Sequence, residues 1–170
     1  MFSQSRVTNM FVLVRAVTYA AFFIGFVLVY LPARFLSWSG VVAPATTGAP
    51  QVAGTIIVTI GTAIALWCVF TFVFIGKGTP APFDPPRKLV IRGPYRFVRN
   101  PMYIGAGMTL AGAALFYGSL SILIYAGVFF LATHLFVVLY EEPTLRRTFG
   151  DEYEAYVRRV RRWIPKRSTK

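Results

Sequence analysis

Groups that build reactive centres in soluble enzymes are scarce in this chain. It has one cysteine, Cys68, and one histidine, His134, among 170 residues. A lone thiol excludes an internal disulfide and leaves the redox compartment open. One His and one Cys also argue against a zinc site, which draws three or four ligands mostly from such residues. No nucleophile–base triad is recognisable. Charge is thin as well, with 14% charged residues against 56% hydrophobic ones. A small soluble domain usually carries about 25% charged residues to cover its surface. Acidic groups are the rarest, six against eighteen Lys and Arg, for a net charge of +12. That excess is not a nucleic-acid signature. The basic residues flank long apolar runs, as beside anionic lipid headgroups.

The apolar runs have membrane-spanning length, since a helix crosses the hydrocarbon core with about 20 residues. Met10–Leu31 is one, with Arg15 able to snorkel. It exceeds a signal-peptide core of roughly 7–15 residues and is read as a retained span. Pro32 is expected to end it, and the Pro-, Gly-, Ala- and Thr-rich stretch Pro32–Gln51 to be a loop. Val52–Ile75 is the second span. Tyr103–Tyr140 is too long for one, and Tyr117-Gly118-Ser119 offers a turn. The block therefore divides into a short helix, Tyr103–Phe116, rich in small residues that let backbones pack closely, and a full span, Leu120–Tyr140. Beyond it, Leu145, Phe149, Tyr153, Tyr156, Val157, Val160 and Ile164 recur at helical steps. Glu154 and Arg158 are spaced for an i,i+4 pair. Thr79–Pro86 is a stiff, proline-rich loop.

The predicted fold is an all-α, polytopic membrane bundle of about four transmembrane helices with a C-terminal amphipathic interfacial helix. It forms one domain over 1–170, with the first two spans in 1–76 and the core and tail in 77–170. The Pro32–Gln51 loop holds only Arg34, whereas Lys77–Met102 and the tail after Tyr140 are rich in Lys and Arg. This asymmetry places both termini in the cytoplasm of a multi-pass protein of the cell membrane.

Several residues are candidates for chemistry. Glu141 and Glu142 are adjacent carboxylates where the last span ends. They either balance nearby arginines or anchor a cation such as a cofactor ammonium. His134, seven residues earlier, shares their side of the helix. It is a hydrogen-bonded core residue or, as an ionisable group in a span, a functional one. Asn100 and Pro101 read as a helix cap and first turn. The same arrangement leaves amide donors, Asn100 and Tyr103 at a helix mouth where an anion could bind. Arg99 and Arg146 could orient an acceptor carboxylate or phosphate.

Three groups of residues carry a resemblance. The first is Gly76-x-Gly78-Thr79-Pro80. The second is Gly93-Pro94-Tyr95-Arg96-x-x-Arg99-Asn100-Pro101-Met102-Tyr103-x-Gly105. The third is Tyr140-Glu141-Glu142-x-x-Leu145, followed by Phe149-Gly150-x-x-Tyr153-x-x-Tyr156 and Arg162-Trp163-Ile164-Pro165. In order and spacing they resemble the isoprenylcysteine carboxyl methyltransferase family of integral membrane methyltransferases. The membrane phosphatidylethanolamine methyltransferases are similar, sharing segments like 100–105 and 140–143. Many carboxyl methyltransferase relatives carry His where this chain has Asn100. The resemblance implies that Asn100, Tyr103, Gly105, His134, Glu141 and Glu142 hold S-adenosylmethionine at the mouth of the bundle. It also implies that the tail closes over the cofactor and that a lipid-like acceptor enters from the bilayer. The expected function is methyl transfer to a lipid-like or prenylated acceptor, with Arg99 and Arg146 as catalytic groups. Three alternatives stand beside it: a phospholipid amine N-methyltransferase, a nicotinamide-dependent membrane reductase of related fold, and a non-enzymatic lipid-binding protein. Membrane lipids are the expected surroundings; nucleic acid and metal are not expected.

Overall fold

The computed structural model describes residues 24–72 and 88–166, together with Val14, Thr18, Ala21 and Phe22. Much of the first half of the predicted first span, the end of the second span beyond Phe72 and the whole Thr79–Pro86 loop lie outside the described residues. Within them the chain is helical and has no strand; one isolated bridge joins Val98 to Arg161.

Pro32 does not end the first helix. A wide, π-helical segment at Ile24–Tyr30 leads directly into helix α1, Leu31–Trp38. Proline lacks an N–H, so it is tolerated where a helix opens a new hydrogen-bonding register. The expected loop is accordingly shorter, with α2 already beginning at Ala49 and running to Thr71. Helix α3 is Pro101–Tyr117 and α4 is Leu120–Phe136. Between them Gly118 takes the left-handed conformation, φ 58°. Ser119 then caps α4 by accepting from the Ile122 amide. A second π-helical turn, Val137–Glu141, joins α4 to α5, Glu142–Arg159.

Helices α2 and α3 are antiparallel and nearly touch. A Cβ on Gly61 would sit 2.6 Å from the Gly105 carbonyl, and one on Gly54 2.7 Å from the Gly112 carbonyl. Two glycines on each helix, seven residues apart, thus allow a backbone-to-backbone crossing. Gln51 fastens the far end, accepting from the Gly48 amide and donating to the Phe116 carbonyl at 3.1 Å. On the other side of α3, Ala106 and Leu110 pack with Ala126 and Phe129 of α4. Val27 and Leu28 close this cluster, and the Tyr125 hydroxyl donates to the Val27 carbonyl at 2.9 Å.

Two helices among the described residues are long and apolar enough to cross a membrane. One is α2, whose 23 residues rise about 34 Å. The other is the helical run Leu120–Arg159, made of α4, the π-helical turn and α5. It is apolar as far as Tyr140 and charged from Glu141 on, so only its first part can lie in hydrocarbon.

Helix α5 is amphipathic, but it is not straight. Gly150 has φ 49° and ψ −124° and breaks the helix into two pieces. The predicted apolar face survives the break. Tyr153, Tyr156 and Val160 are buried, with Leu89, Leu145, Phe149 and Val157 against them. Ile164 leaves that face because the helix stops at Arg159, and it is 68% exposed. The kink also repairs the ion pairing. Glu154 does not meet Arg158 one turn on; it meets Arg146 across the bend, with Nε–Oε1 2.8 Å.

Candidate active site

The C-terminus of α2, the N-terminus of α3 and the end of α4 meet at one end of the bundle. Lys88–Asn100 covers that end. Its turn, Gly93–Arg96, buries Pro94 and Tyr95 against the bundle. A strap follows α5 and crosses the same end. Arg99 donates its backbone N–H to the Arg161 carbonyl at 2.9 Å, and the Tyr156 hydroxyl donates to the Tyr95 carbonyl at 2.6 Å.

Glu142 lies at the centre and is 3% exposed. Arg162, on the strap, grips it with two hydrogen bonds, Nε to Oε1 at 2.7 Å and Nη2 to Oε2 at 2.9 Å. Arg99 Nη2 lies 3.2 Å from Oε1 and Arg146 Nη2 3.8 Å from Oε2. Burial alone would raise the Glu142 pKa. The Arg162 hydrogen bond and the charges of Arg99, Arg162 and Arg146 outweigh it and hold the carboxyl below its ordinary value. A buried carboxylate with three cations is a structural key, because it joins the α3 entry, α5 and the strap.

Glu141 is different. Neighbouring helix residues point about 100° apart, so Glu141 turns away from that cluster. Its Oε2 accepts from the Tyr103 hydroxyl at 3.2 Å. Among the described residues no cation pairs with it. Burial is the main reason its pKa rises to about 7; Glu142 adds to the rise, and the Tyr103 hydrogen bond opposes it. One further group is left incomplete. Arg99 Nε is buried without a hydrogen-bond partner, although the other two nitrogens of Arg99 reach Glu142 and the Tyr153 hydroxyl.

The phospholipid methyltransferase family model matches residues 49–152. The chain belongs to this family. The match spans α2 to the kink of α5 and takes in every predicted site residue, while the strap lies beyond it. No curated protein and no solved structure matches the chain. As a member of a membrane methyltransferase family, the chain is placed among enzymes, and its kinship to the isoprenylcysteine carboxyl methyltransferases accords with the motifs above.

The predicted residues of this methyltransferase take distinct positions. Glu141 and Tyr103 are in contact, and Arg99, Arg146 and Glu142 form one charge cluster. Asn100 occupies the cap position of α3, yet its side chain makes no capping bond; its Nδ2 reaches the Arg162 carbonyl at 3.4 Å. Gly105 faces α2, where it serves the close crossing. His134 is engaged by the strap, its Nδ1 accepting from Trp163 Nε1 at 3.1 Å. Trp163 also packs on Phe130, ring centroids 5.0 Å apart. Arg162, Trp163 and Tyr153 were not singled out from the sequence, although Arg162-Trp163-Ile164-Pro165 and Tyr153 stand in the quoted motifs. The usable signal was charge balance, since a buried Glu142 needs more cation than Arg146 alone.

Proposed function

We propose that this chain transfers a methyl group from S-adenosylmethionine to a lipid-like acceptor at the membrane surface. The observation that carries the reading is the unequal pair: Glu142 is buried and neutralised by arginines, whereas half-buried Glu141 beside it has, among the described residues, only a tyrosine hydroxyl as a partner. A cation is the missing partner of Glu141, and an acceptor is the missing partner of Arg99 Nε. The amino-acid end of S-adenosylmethionine carries both an ammonium and a carboxylate, so these residues fit the cofactor. When bound, it supplies a methyl group on a sulfonium, whose in-line displacement needs little acid–base help.

The chain's own residues would bind, orient and exclude water, and positioning is the largest share of such catalysis. Glu141, oriented by Tyr103, holds the ammonium. Arg99, steadied by Glu142, offers Nε to the carboxylate. The strap, fixed by Arg162 to Glu142 and by Trp163 to His134, closes the site against water. Arg146 keeps 45% of its side chain exposed and is the arginine left to orient an acceptor phosphate or carboxylate. Four spans with both termini in the cytoplasm would put the site at that interface, where a soluble cofactor and a lipid acceptor meet.

The acceptor is a prenylated carboxylate or a phospholipid amine; the family match supports both. The test is incubation of the purified protein in detergent with methyl-labelled S-adenosylmethionine and a membrane lipid extract. We expect label in the lipid fraction, as a methyl ester that base releases as methanol for a carboxylate and as an N-methyl group that base leaves on the headgroup for an amine. No label in lipid, with the cofactor bound, would refute the reading.

A further inference from the structure

Glu142 pairs with Arg99 and Arg162, and Arg146 is shared between Glu142 and Glu154. The other cations at this end of the bundle have no such partner among the described residues. Arg92, Arg96, Arg161 and Lys166 are exposed, and among the described residues none of them enters an ion pair. No acidic residue occurs in 88–100 or 160–170.

Apolar side chains stand among these cations and also face outward. Phe97 is 48% exposed and Ile164 68%. The Arg96 guanidinium lies over the Phe97 ring, 4.6 Å from its centroid. This leaves Phe97 amphipathic, with an apolar ring under a cation, as suits a headgroup boundary. The bridge between Val98 and Arg161 sets the strap beside Phe97. The height of the patch is fixed too. A Cβ on Gly93 would lie 3.0 Å from Thr71 Oγ1 and 3.4 Å from Trp67 Nε1, in the last turns of a helix long enough to cross a membrane. The turn therefore sits where that helix leaves the hydrocarbon.

We propose that Arg92, Arg96, Phe97, Arg161 and Ile164 form a docking surface for the anionic headgroups of the bilayer. The charge selects acidic lipids, and the two apolar side chains enter the headgroup boundary. The occupant is the lipid surface and not a protein, because unpaired cations and isolated apolar anchors at span height match headgroups and the acyl boundary. Segment 88–100 leads directly into Arg99 and Asn100, and the strap carries Arg162. Lipid bound here would steady both segments. This surface does not depend on the proposed methyl transfer, and its test does not use activity.

The test places the full chain in nanodiscs of phosphatidylcholine with trace spin-labelled phosphatidylglycerol or phosphatidylcholine. Identical leaflets remove any effect of insertion direction. The readout is the fraction of each label immobilised by the protein. We expect a several-fold preference for the anionic label that falls as salt rises. Combining Arg92→Gln, Arg96→Gln and Arg161→Gln should remove most of it. The charge-matched combination Arg147→Gln, Arg158→Gln and Arg159→Gln, on α5, should leave most of it. Phe97→Ser with Ile164→Ser should weaken immobilisation of both labels while the preference remains. Absence of a preference in the parent chain, or equal loss from the two arginine triples, would overturn the proposal. So would full retention of the preference in the patch triple.

Discussion

Two adjacent glutamates have opposite tasks here, and substitution should separate them. Glu142 is buried with three arginines, and removing one partner of a buried pair leaves uncompensated charge. Glu142→Gln should cost about 3–5 kcal/mol of stability, read as a lower melting temperature in detergent without cofactor. Glu141→Gln should cost the apo protein nothing. Its pH signature has a definite sign. Burial raises the folded pKa of Glu141 to about 7, so between its ordinary value and about 7 the folded state binds more proton than the unfolded one. The contribution of Glu141 to stability then falls as pH rises through that window. Melting curves of parent and Glu141→Gln should converge in acid, separate between the ordinary carboxyl value and about 7, and stay apart above it, with the Gln variant higher. Glu142 has the reverse sign. Its depressed pKa means its contribution is present above the ordinary carboxyl value and lost only in acid. Nothing in the order of residues divides this pair. The division follows from a 100° turn between neighbours and from Arg162, twenty residues away.

At the scale of elements, periodicity and length were legible. The second span, the short glycine-rich helix, the Gly118 turn and the amphipathic face of the tail all lie close to their expected places. The first-helix boundary at Pro32 was misjudged because a proline signal does not distinguish a stop from the first turn of the next register. The kink at Gly150 was missed because the apolar positions Leu145 and Phe149 before it and Tyr153, Tyr156, Val157 and Val160 after it keep helical spacing through it. Its φ of 49° and ψ of −124° are accessible to glycine and costly for any residue with a Cβ. Gly150→Ala should therefore strain the bend and loosen the Arg146–Glu154 pair and the strap beyond it. We expect a loss of about 1–3 kcal/mol, and faster proteolysis at Arg158–Lys166 than in the parent. An unchanged melting temperature and cleavage rate would show that the bend is not required.

For the molecule as a whole, an all-helical fold with long apolar helices and a basic end could be read from composition and charge placement. The strap could not, because its contacts join positions 20 to 62 residues apart in sequence. It ties Arg162 to Glu142, Trp163 to His134, and its own backbone to Arg99 and Asn100. Such contacts exist only once α3, α4 and α5 have been brought to one end. Their consequence is a candidate site assembled from distant segments around one carboxylate, Glu141, that has no cation partner among the described residues.

That carboxylate is the central claim, and calorimetry on the purified full chain in detergent tests it most directly. S-adenosylmethionine should bind the parent protein, while a nicotinamide cofactor should not. Glu141→Gln should weaken the affinity by about tenfold or more, as for a lost charge-assisted hydrogen bond of about 1.5–3 kcal/mol, without lowering the apo melting temperature. Affinity in the parent should also rise as pH passes upward through about 7 and lose that dependence in the variant. Equal affinity for S-adenosylmethionine in parent and Glu141→Gln at every pH would contradict the account, as would tight nicotinamide binding with no S-adenosylmethionine signal.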